Sequence, residues 1–199
     1  MNVTIIEYGA GNLFSVRAAV ERLGHSVTLG SQPGEILAAD RVIFPGVGQA
    51  RSAMDKLRAA GLDEVIPALR VPVLGICLGM QLMCERSEEG DTAGLGIFPL
   101  EARRIEGDCK VPHMGWNRIV DPQPPLFDGI REGEWFYFVH SYYLPVSSYQ
   151  VAGCRYHALF CAALRRDNFF GCQFHPEKSG EAGERVLRNF LDWNGHERA

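Results

Sequence analysis

The sequence predicts an α/β fold, with a mainly parallel central sheet, helices on both faces and added antiparallel strands in the second half. Two patterns support this prediction. In the first half of the chain, strand-like apolar runs alternate with apolar residues at helical spacing. From residue 96 to 171, short β-rich runs are separated by turns. Because the chain has 199 residues, we expect a single domain over 1–199.

The first half contains the candidate parallel strands. Strand-like runs bounded by turn residues occur at 3–6, 25–29, 42–44 and 71–74. Apolar residues at helical spacing occur within 13–23, 54–57, 62–69 and 77–83, and Gly24 is expected to end the first helix. Such alternation of strands and helices is typical of a parallel sheet covered by helices.

The second half changes character. Short β-rich runs occupy 101–106, 117–120, 135–144, 151–156 and 161–166. We interpret them as antiparallel strands that flank the parallel sheet, not as a separate domain. A last helix is predicted over 179–193, with its apolar residues facing the core.

Composition excludes several classes of function. Hydrophobic residues at 46% and charged residues at 22% are ordinary for a globular protein. The formal net charge of −4 disfavours a nucleic-acid surface, since phosphate binding needs a cationic footprint. No apolar run approaches the ~20 residues of a membrane span, and the first residues lack the basic region of a signal peptide. We therefore expect a cytoplasmic protein.

Neither a metal nor a nucleotide cofactor is expected. The six cysteines show no C-x-x-C pair and no zinc-ligand spacing, so they are interpreted as reduced thiols. Cys84, seven residues after Cys77, is expected to share its helical face and to be buried. The segment Gly9-Ala10-Gly11 follows the first strand, but Phe14 replaces the third glycine of a dinucleotide-binding motif.

The candidate nucleophile is Cys77, within Gly75-Ile76-Cys77-Leu78-Gly79. An apolar strand precedes this segment and helical spacing follows it, which is the pattern of a nucleophile elbow. Glycines two places on either side are expected because side chains there would clash in so tight a turn. A position at a helix N-terminus, beside an imidazole, favours the reactive thiolate.

The candidate base and its partner lie in His175-Pro176-Glu177. In an extended segment the two outer side chains leave on the same face, so Glu177 could orient His175 toward Cys77. A buried cysteine or a lone His-Pro-Glu is usually structural. Together, in this chain order, they predict a nucleophile, a proton shuttle and an orienting acid.

The segments G-I-C-L-G-M-Q and Q-F-H-P-E-K resemble those of the class I (triad-type) glutamine amidotransferases. The resemblance implies a flavodoxin-like three-layer fold and hydrolysis of glutamine to glutamate and ammonia. Cys77 would attack the side-chain amide, and ammonia would leave. It also implies that the amino-acid end of the substrate meets Gln81, Ser141 and Tyr142.

Backbone N–H groups are the expected stabilisers of the oxyanion. In an elbow, the residue after the nucleophile, here Leu78, supplies one donor. The second is expected from Pro45-Gly46-Val47-Gly48, a loop at the carboxyl end of a neighbouring strand. The family resemblance points to the Val47 amide. An ordinary turn between a strand and a helix is the alternative for this loop.

Segments 6–13, 111–117, 137–142 and 175–179 resemble the glutaminase subunits of imidazole glycerol phosphate synthase, in histidine biosynthesis. Glu7 departs from the Asp usual in the first of these segments. The resemblance implies a heterodimer with a separate (β/α)₈-barrel cyclase, which would use the ammonia to form imidazole glycerol phosphate and AICAR. The interface or ammonia-passage candidates are Asn12, Met114, Trp116, Tyr137 and Lys178.

The sequence is also compatible with several alternatives. The chain could serve another amidotransferase, in purine, pyridoxal phosphate or anthranilate synthesis, or be a non-enzymatic partner-binding regulator. A stand-alone cysteine hydrolase is a third possibility. Trp116 could be a core residue instead of an interface residue. His113 and His140 are expected to be structural because His175 already provides the proton shuttle, although His140 could line the site.

Overall fold

The computed structural model describes residues 1–9 and 11–195; Ala10 of the Gly9-Ala10-Gly11 segment lies outside the described residues. The first half forms, in order, β1 (Asn2–Ile6), α1 (Leu13–Arg22), β2 (Ser26–Gly30), α2 (Pro33–Leu37), β3 (Arg41–Gly46), α3 (Ala50–Ala59), α4 (Leu62–Ala68), β4 (Val73–Cys77) and α5 (Leu78–Leu82). The strands and long helices predicted here are confirmed within a few residues.

The second half is mostly β-structure. It forms β5 (Cys84–Ser87), β6 (Thr92–Ala93), β7 (Phe98–Arg104), β8 (His113–Val120), β9 (Trp135–His140), β10 (Tyr142–Tyr143), β11 (Gln150–Arg155), β12 (Leu159–Arg166) and β13 (Phe169–Cys172). A short 3₁₀ helix (Pro176–Lys178) and the long α6 (Gly180–Asp192) follow.

The central sheet has nine strands in the order β2-β1-β3-β4-β13-β12-β11-β8-β9. The strands from β2 to β13 pair in parallel, and those from β13 to β9 pair antiparallel. Because parallel strands end at the same edge, the carboxyl ends of β3, β4 and β13 lie side by side. The predicted fold class is confirmed.

Two hydrophobic cores cover the two faces of the sheet. On one face, Val16 and Val20 of α1 pack with Leu187 and Phe190 of α6. The other face is covered by α2 to α5, and Met54 of α3 is among its fully buried residues. Adjacent strand residues point to opposite cores, which is why the parallel strands are continuous apolar runs in the sequence.

Helix α1 begins and ends as its sequence dictates. The side chain of Asn12 accepts a hydrogen bond from the Ser15 amide at 3.4 Å and caps the helix N-terminus. Gly24, just beyond the helix, has φ +87°, a left-handed conformation that glycine adopts without steric cost. The prediction that Gly24 ends this helix is confirmed.

One prediction about the region after Cys77 is wrong. The helix ends at Leu82, and Cys84 begins β5, so Cys84 does not share a helical face with Cys77. The carbonyl of Leu82 accepts a hydrogen bond from Leu95 at 2.8 Å, which ties this backbone to a later segment and not to a further helical turn. Cys84 is nevertheless fully buried, as expected.

The β-rich runs also divide differently from the prediction. The run at 101–106 belongs to a second, four-stranded sheet with the order β10-β7-β5-β6 and does not join the central sheet. The run at 135–144 is split, because β9 joins the central sheet while β10 joins the smaller one. The strand β13 was not predicted, although it pairs in parallel with β4.

The turn between β4 and α5 depends on glycine. A Cβ atom on Gly79 would lie 1.8 Å from the carbonyl oxygen of Phe44, on the neighbouring strand. One on Gly75 would lie 2.8 Å from the amide nitrogen of Met80. Both distances are far inside van der Waals contact, so the steric reason predicted for these glycines is confirmed.

We expect Gly79→Ala to lower the free energy of unfolding by ~3 kcal/mol or more, because backbone must shift to admit the methyl group. Gly34→Ala is the matched control: it lies within α2, and a Cβ added there would have open space around it, with no neighbouring side chain within 4 Å. Alanine is favoured over glycine in a helix, so this control should be neutral or stabilising. Chemical denaturation of both variants provides the measurement, and equal stability of the two would contradict the steric account.

Candidate active site

Cys77 stands at the end of β4, directly before α5, with φ +53° and ψ −109°. A non-glycine residue in this conformation carries strain of ~1–3 kcal/mol, which tends to occur at functional sites. The thiol is buried but borders a cavity at the carboxyl edge of the sheet. This is the strand-to-helix elbow that the sequence predicted.

His175 and Glu177 follow β13, the strand beside β4. Nδ1 of His175 lies 2.8 Å from Oε1 of Glu177, and both side chains are almost fully buried. The two residues do not share one extended segment as predicted, because Glu177 lies in the 3₁₀ helix and reaches back through that turn. The amide of His175 donates to the Tyr137 carbonyl at 2.9 Å, which holds its backbone to β9.

The electrostatic environment favours the protonated imidazole. Burial lowers the pKa of His175, but the neighbouring Cys77 and the hydrogen-bonded Glu177 outweigh this effect and raise the pKa to about 10. Among the described residues, no nitrogen or oxygen atom hydrogen-bonds to Nε2 of His175. The second nitrogen of the ring is therefore free to exchange a proton with the sulfur and with a substrate.

The candidate oxyanion loop begins inside β3. Gly46, predicted as part of the loop, is the last residue of β3 and pairs with Cys77. A Cβ on Gly46 would lie 2.8 Å from the Gly79 amide nitrogen, so only glycine permits this approach. Val47 and Gly48 follow, Gly48 with φ +97°, and both border the same cavity as Leu78.

This cavity has a volume of about 320 Å³. It is the place where most of the predicted site residues meet. Its lining comprises Val47, Gly48, Cys77, Leu78, Gln81, Glu89, Pro112, Val139, His140, Ser141, Tyr142 and His175. The structure thus brings together the three residues expected to contact substrate, both oxyanion candidates, the candidate nucleophile and the imidazole of His175.

Glu89 is a cavity residue that sequence reasoning missed. It is the one carboxylate among the described lining residues, and its Oε2 accepts a hydrogen bond from the Ala50 amide at 2.8 Å. Burial raises the pKa of Glu89, while this hydrogen bond opposes the change. No local motif marks Glu89, because the contact joins the start of α3 to a turn 39 residues away.

Two further histidines lie beside the site. His140 lines the cavity, and its Nε2 lies 2.9 Å from Nδ1 of His113. Burial lowers the pKa of His140 to about 3 and that of His113 to about 4. Both rings are therefore neutral near pH 7. His175 alone among these three imidazoles has its pKa raised.

The interface candidates gather mainly on the outer face of β8 and β9. Met114 and Trp116 are 61% and 53% exposed, so the alternative that Trp116 is a core residue is wrong. Tyr137 pairs with Trp116 across the strands, with ring centroids 6.1 Å apart. The ammonium group of Lys178 lies 5.8 Å from the centre of the Tyr137 ring. Asn12 lies apart from these strands, at the N-cap of α1.

Among the described residues, no group of three or more His, Cys, Asp or Glu side chains could hold a metal ion. No helix in the described part of the chain is long and apolar enough to cross a membrane.

Comparison with known proteins identifies the family. The family model for class-I glutamine amidotransferases matches residues 4–193. Imidazole glycerol phosphate synthase subunit HisH of Bacteroides thetaiotaomicron is 52% identical over 195 residues, which cover 96% of this chain and all of that protein. The subunit of the same name from Escherichia coli K12 is 47% identical, with the same coverage.

A solved glutamine amidotransferase superposes with a TM-score of 0.75 over 95% of this chain and 97% of its own, at 15% identity. This likeness concerns the fold alone. The family-model match and the sequence relatives go further, and the chain belongs to the class I glutamine amidotransferase family.

Proposed function

We propose that the chain is the glutaminase subunit of imidazole glycerol phosphate synthase, which supplies ammonia for a step of histidine biosynthesis. Two relatives that carry this subunit name are 47–52% identical over their full length. The observation that carries the chemistry is the buried His175–Glu177 pair, at 2.8 Å, whose imidazole interacts with the elbow cysteine Cys77. We further propose that residues 1–199 form one amidotransferase domain.

In the first step, the sulfur of Cys77 attacks the side-chain amide carbon of glutamine and forms a tetrahedral intermediate. His175, protonated at Nε2, gives that proton to the departing nitrogen, so ammonia leaves and a glutamyl thioester remains. Water then attacks the thioester, with His175 as the base. The second intermediate expels the thiolate of Cys77, and the product carboxylic acid loses its proton to solvent and leaves as glutamate. The proton that His175 took from the water remains on Nε2, so the thiolate–imidazolium pair is restored. Glu177 orients the ring and stabilises its positive form throughout.

The negative oxygen of each tetrahedral intermediate needs donors. The amides of Val47 and Leu78 are the candidates, since both residues border the cavity beside Cys77. Removal of one such donor typically costs ~3 kcal/mol of transition-state stabilisation. Gly46 and Gly48 permit the close approach and the left-handed backbone of the loop, respectively.

Recognition of glutamine needs partners for a positive and a negative group at its amino-acid end. Glu89 supplies the carboxylate for the α-ammonium group, and Ser141 and Tyr142 lie along the same cavity for the α-carboxylate. Gln81 donates both amide hydrogens to other groups of the protein, at 2.8 and 2.9 Å. It therefore offers the substrate only its carbonyl oxygen, as an acceptor.

The partner that we propose is a separate (β/α)₈-barrel cyclase, which would receive the ammonia and form imidazole glycerol phosphate and AICAR. We define the docking face as the outer surface of β8 and β9 around Met114, Trp116, Tyr137 and Lys178. Exposed aromatic and methionine side chains that lie together are typical of protein interfaces. Asn12 is proposed to lie near its edge. The cytoplasmic location expected from the sequence is also retained as a proposal.

Cys77→Ala tests whether Cys77 is needed to release ammonia from glutamine but not for the use of ammonia by the cyclase. In the complex reconstituted with the cyclase, we expect the variant to lose glutamine-dependent synthesis because no thioester can form. Synthesis from added ammonium should persist, since that reaction bypasses Cys77. Cys109→Ala, outside the cavity lining, is the matched control and should retain both activities. Glutamine-dependent synthesis by Cys77→Ala would refute the proposal, and activity with only a different synthase would favour another amidotransferase.

Glu177→Gln tests the charge that supports His175. We expect kcat to fall at least ~100-fold, because the ring loses the negative charge that stabilises its protonated form and the acceptor-only partner that fixes its tautomer. The pKa of His175 is raised to about 10 in the folded chain, against ~6.5 in the unfolded chain. The protonated imidazole therefore stabilises the folded state, and this contribution to the free energy of unfolding is fully present below pH 6.5. It is lost as the pH rises through about 10.

The corresponding measurement is the free energy of unfolding between pH 6 and pH 10. The wild type should lose more stability over this range than Glu177→Gln, in which one of the groups that raises the pKa of His175 is uncharged. Parallel curves for the two proteins would show that Glu177 does not support the imidazolium.

Trp116→Ala tests the docking face. Truncation of an exposed aromatic anchor at an interface centre typically costs ~2 kcal/mol, so we expect the Kd for the cyclase to rise ~30-fold. Leu37→Ala is the matched control, since Leu37 is 60% exposed but follows β2, at the opposite edge of the central sheet. Isothermal titration calorimetry would measure both affinities, and an unchanged affinity for Trp116→Ala would exclude this face.

A further inference from the structure

Gln173 is a buried polar residue that the mechanism above does not use. It lies just after β13 and two residues before His175, and its side chain is fully buried. Its Nε2 donates to the sulfur of Cys77 at 3.6 Å, and its Oε1 accepts from Nε2 of Gln81 at 2.8 Å. Gln173 therefore touches the atom that would attack the substrate.

The orientation of the Gln173 amide is determined by its neighbour. Nε2 of Gln81 has two hydrogens, and it donates one to the Tyr142 carbonyl at 2.9 Å and the other to Gln173. Because only the oxygen of Gln173 can accept that hydrogen bond, the nitrogen of Gln173 must face Cys77. The sulfur thus receives a hydrogen-bond donor whose direction follows from the network.

A second branch reaches the same Tyr142 carbonyl from β8. The side chain of Asn117 accepts from the Arg118 amide at 2.7 Å and donates to the Arg155 carbonyl at 2.8 Å, which fixes its nitrogen as the donor. That nitrogen lies 3.2 Å from Nε2 of His113, so Nε2 is the acceptor.

The assignment of Nε2 of His113 as an acceptor determines the remaining proton positions on His113 and His140. His113 carries its hydrogen on Nδ1 and donates to Nε2 of His140 at 2.9 Å. His140 in turn donates from Nδ1 to the Tyr142 carbonyl at 2.8 Å. Both rings are neutral in this arrangement, which agrees with the pKa values that burial lowers to about 4 and about 3.

The strand β8 therefore has two roles on its two faces. His113 and Asn117 point to the network, whereas Met114 and Trp116 alternate with them and belong to the docking face. A continuous set of hydrogen bonds leads from this strand through Tyr142 and Gln81 to Gln173 and the nucleophile.

We propose that Gln173 is a further catalytic residue, which donates a hydrogen bond to the sulfur of Cys77 and stabilises the thiolate, and that Gln81, His140 and His113 position it. This inference rests on the glutaminase function proposed above and concerns the same site. A buried anion needs donors, and a hydrogen bond to a charged acceptor is stronger than one to its neutral form.

The carbonyl of Val139, which also lies beside the sulfur, supports the role proposed for Gln173. The thiol of Cys77 donates to the Val139 carbonyl at 3.7 Å. That carbonyl can stabilise the thiol but not the thiolate, for which it is a repulsive dipole. Gln173 and His175 are the groups that favour the charged form, so loss of the Gln173 donor should shift the balance toward the thiol.

Alkylation of Cys77 by iodoacetamide, measured against pH and located by peptide mapping, tests this role without any need for glutamine turnover. At pH 7 we expect Gln173→Met to react ~10-fold more slowly, and Gln173→Glu, which faces the sulfur with a carboxylate, ~100-fold more slowly. The alkylation-versus-pH curve should move to higher pH in both variants. His113→Phe, at the far end of the network, should slow the reaction ~3-fold.

Gln150→Met is the matched control, because Gln150 is a partly buried glutamine on β11 outside this network. It should alkylate as the wild type does. Thermal unfolding identifies the variants that fold. A wild-type pH curve in either folded Gln173 variant would overturn the proposal. If neither folds, Gln81→Met, which releases the anchor of Gln173, carries the test by the same criterion.

Glutamine hydrolysis by the wild-type complex, measured in parallel, separates this inference from the proposed function. Wild-type turnover together with unchanged alkylation in the Gln173 variants would refute only the role of Gln173. An absence of wild-type turnover would refute the glutaminase function, while the alkylation curves would still report whether Gln173 acts on the sulfur.

Discussion

The parallel pairing of β3, β4 and β13 is the constraint on which the rest of the site depends. Gly46 pairs with Cys77, and Cys172 pairs with Ile76, so the three strands end together. Each then delivers a different component at the same edge of the sheet: the candidate oxyanion loop, the candidate nucleophile, and the segment with Gln173 and His175. Residues almost a hundred positions apart, such as Cys77 and Gln173, become neighbours through this register.

The same edge explains the strained and charged features of the site. The left-handed backbone of Cys77 is tolerated because glycines on both sides admit close contact with β3 and α5. Burial alone would lower the pKa of His175 and favour the neutral ring, but Cys77 and Glu177 raise the pKa and favour the imidazolium. Burial instead lowers the pKa of His113 and of His140, so both rings are neutral and act as hydrogen-bonding groups of fixed direction. Neighbouring imidazoles thus take different roles according to whether a carboxylate accompanies them.

Sequence patterns predicted the elements whose cause is local. Apolar runs and helical spacing identified the parallel strands before Cys77 and the long helices α1, α3 and α6, and the glycine frame identified the elbow. The helix α2 was missed although its proline start and Glu35, which accepts from two nearby backbone amides, are local signals, because five residues are too few to show a helical period. The short strand β13, the separate four-stranded sheet, and the residues Glu89 and Gln173 depend on partners distant in the chain. No periodicity in one sequence encodes such contacts.

We propose that this edge of the sheet makes Cys77 a nucleophile toward glutamine. The most direct measurement is acid quenching of the reconstituted complex during glutamine turnover, followed by peptide mapping by mass spectrometry. A glutamyl thioester on the peptide that contains Cys77, absent from the Cys77→Ala complex, is the predicted result. Steady turnover with no adduct on Cys77, or with an adduct on another residue, would contradict the account.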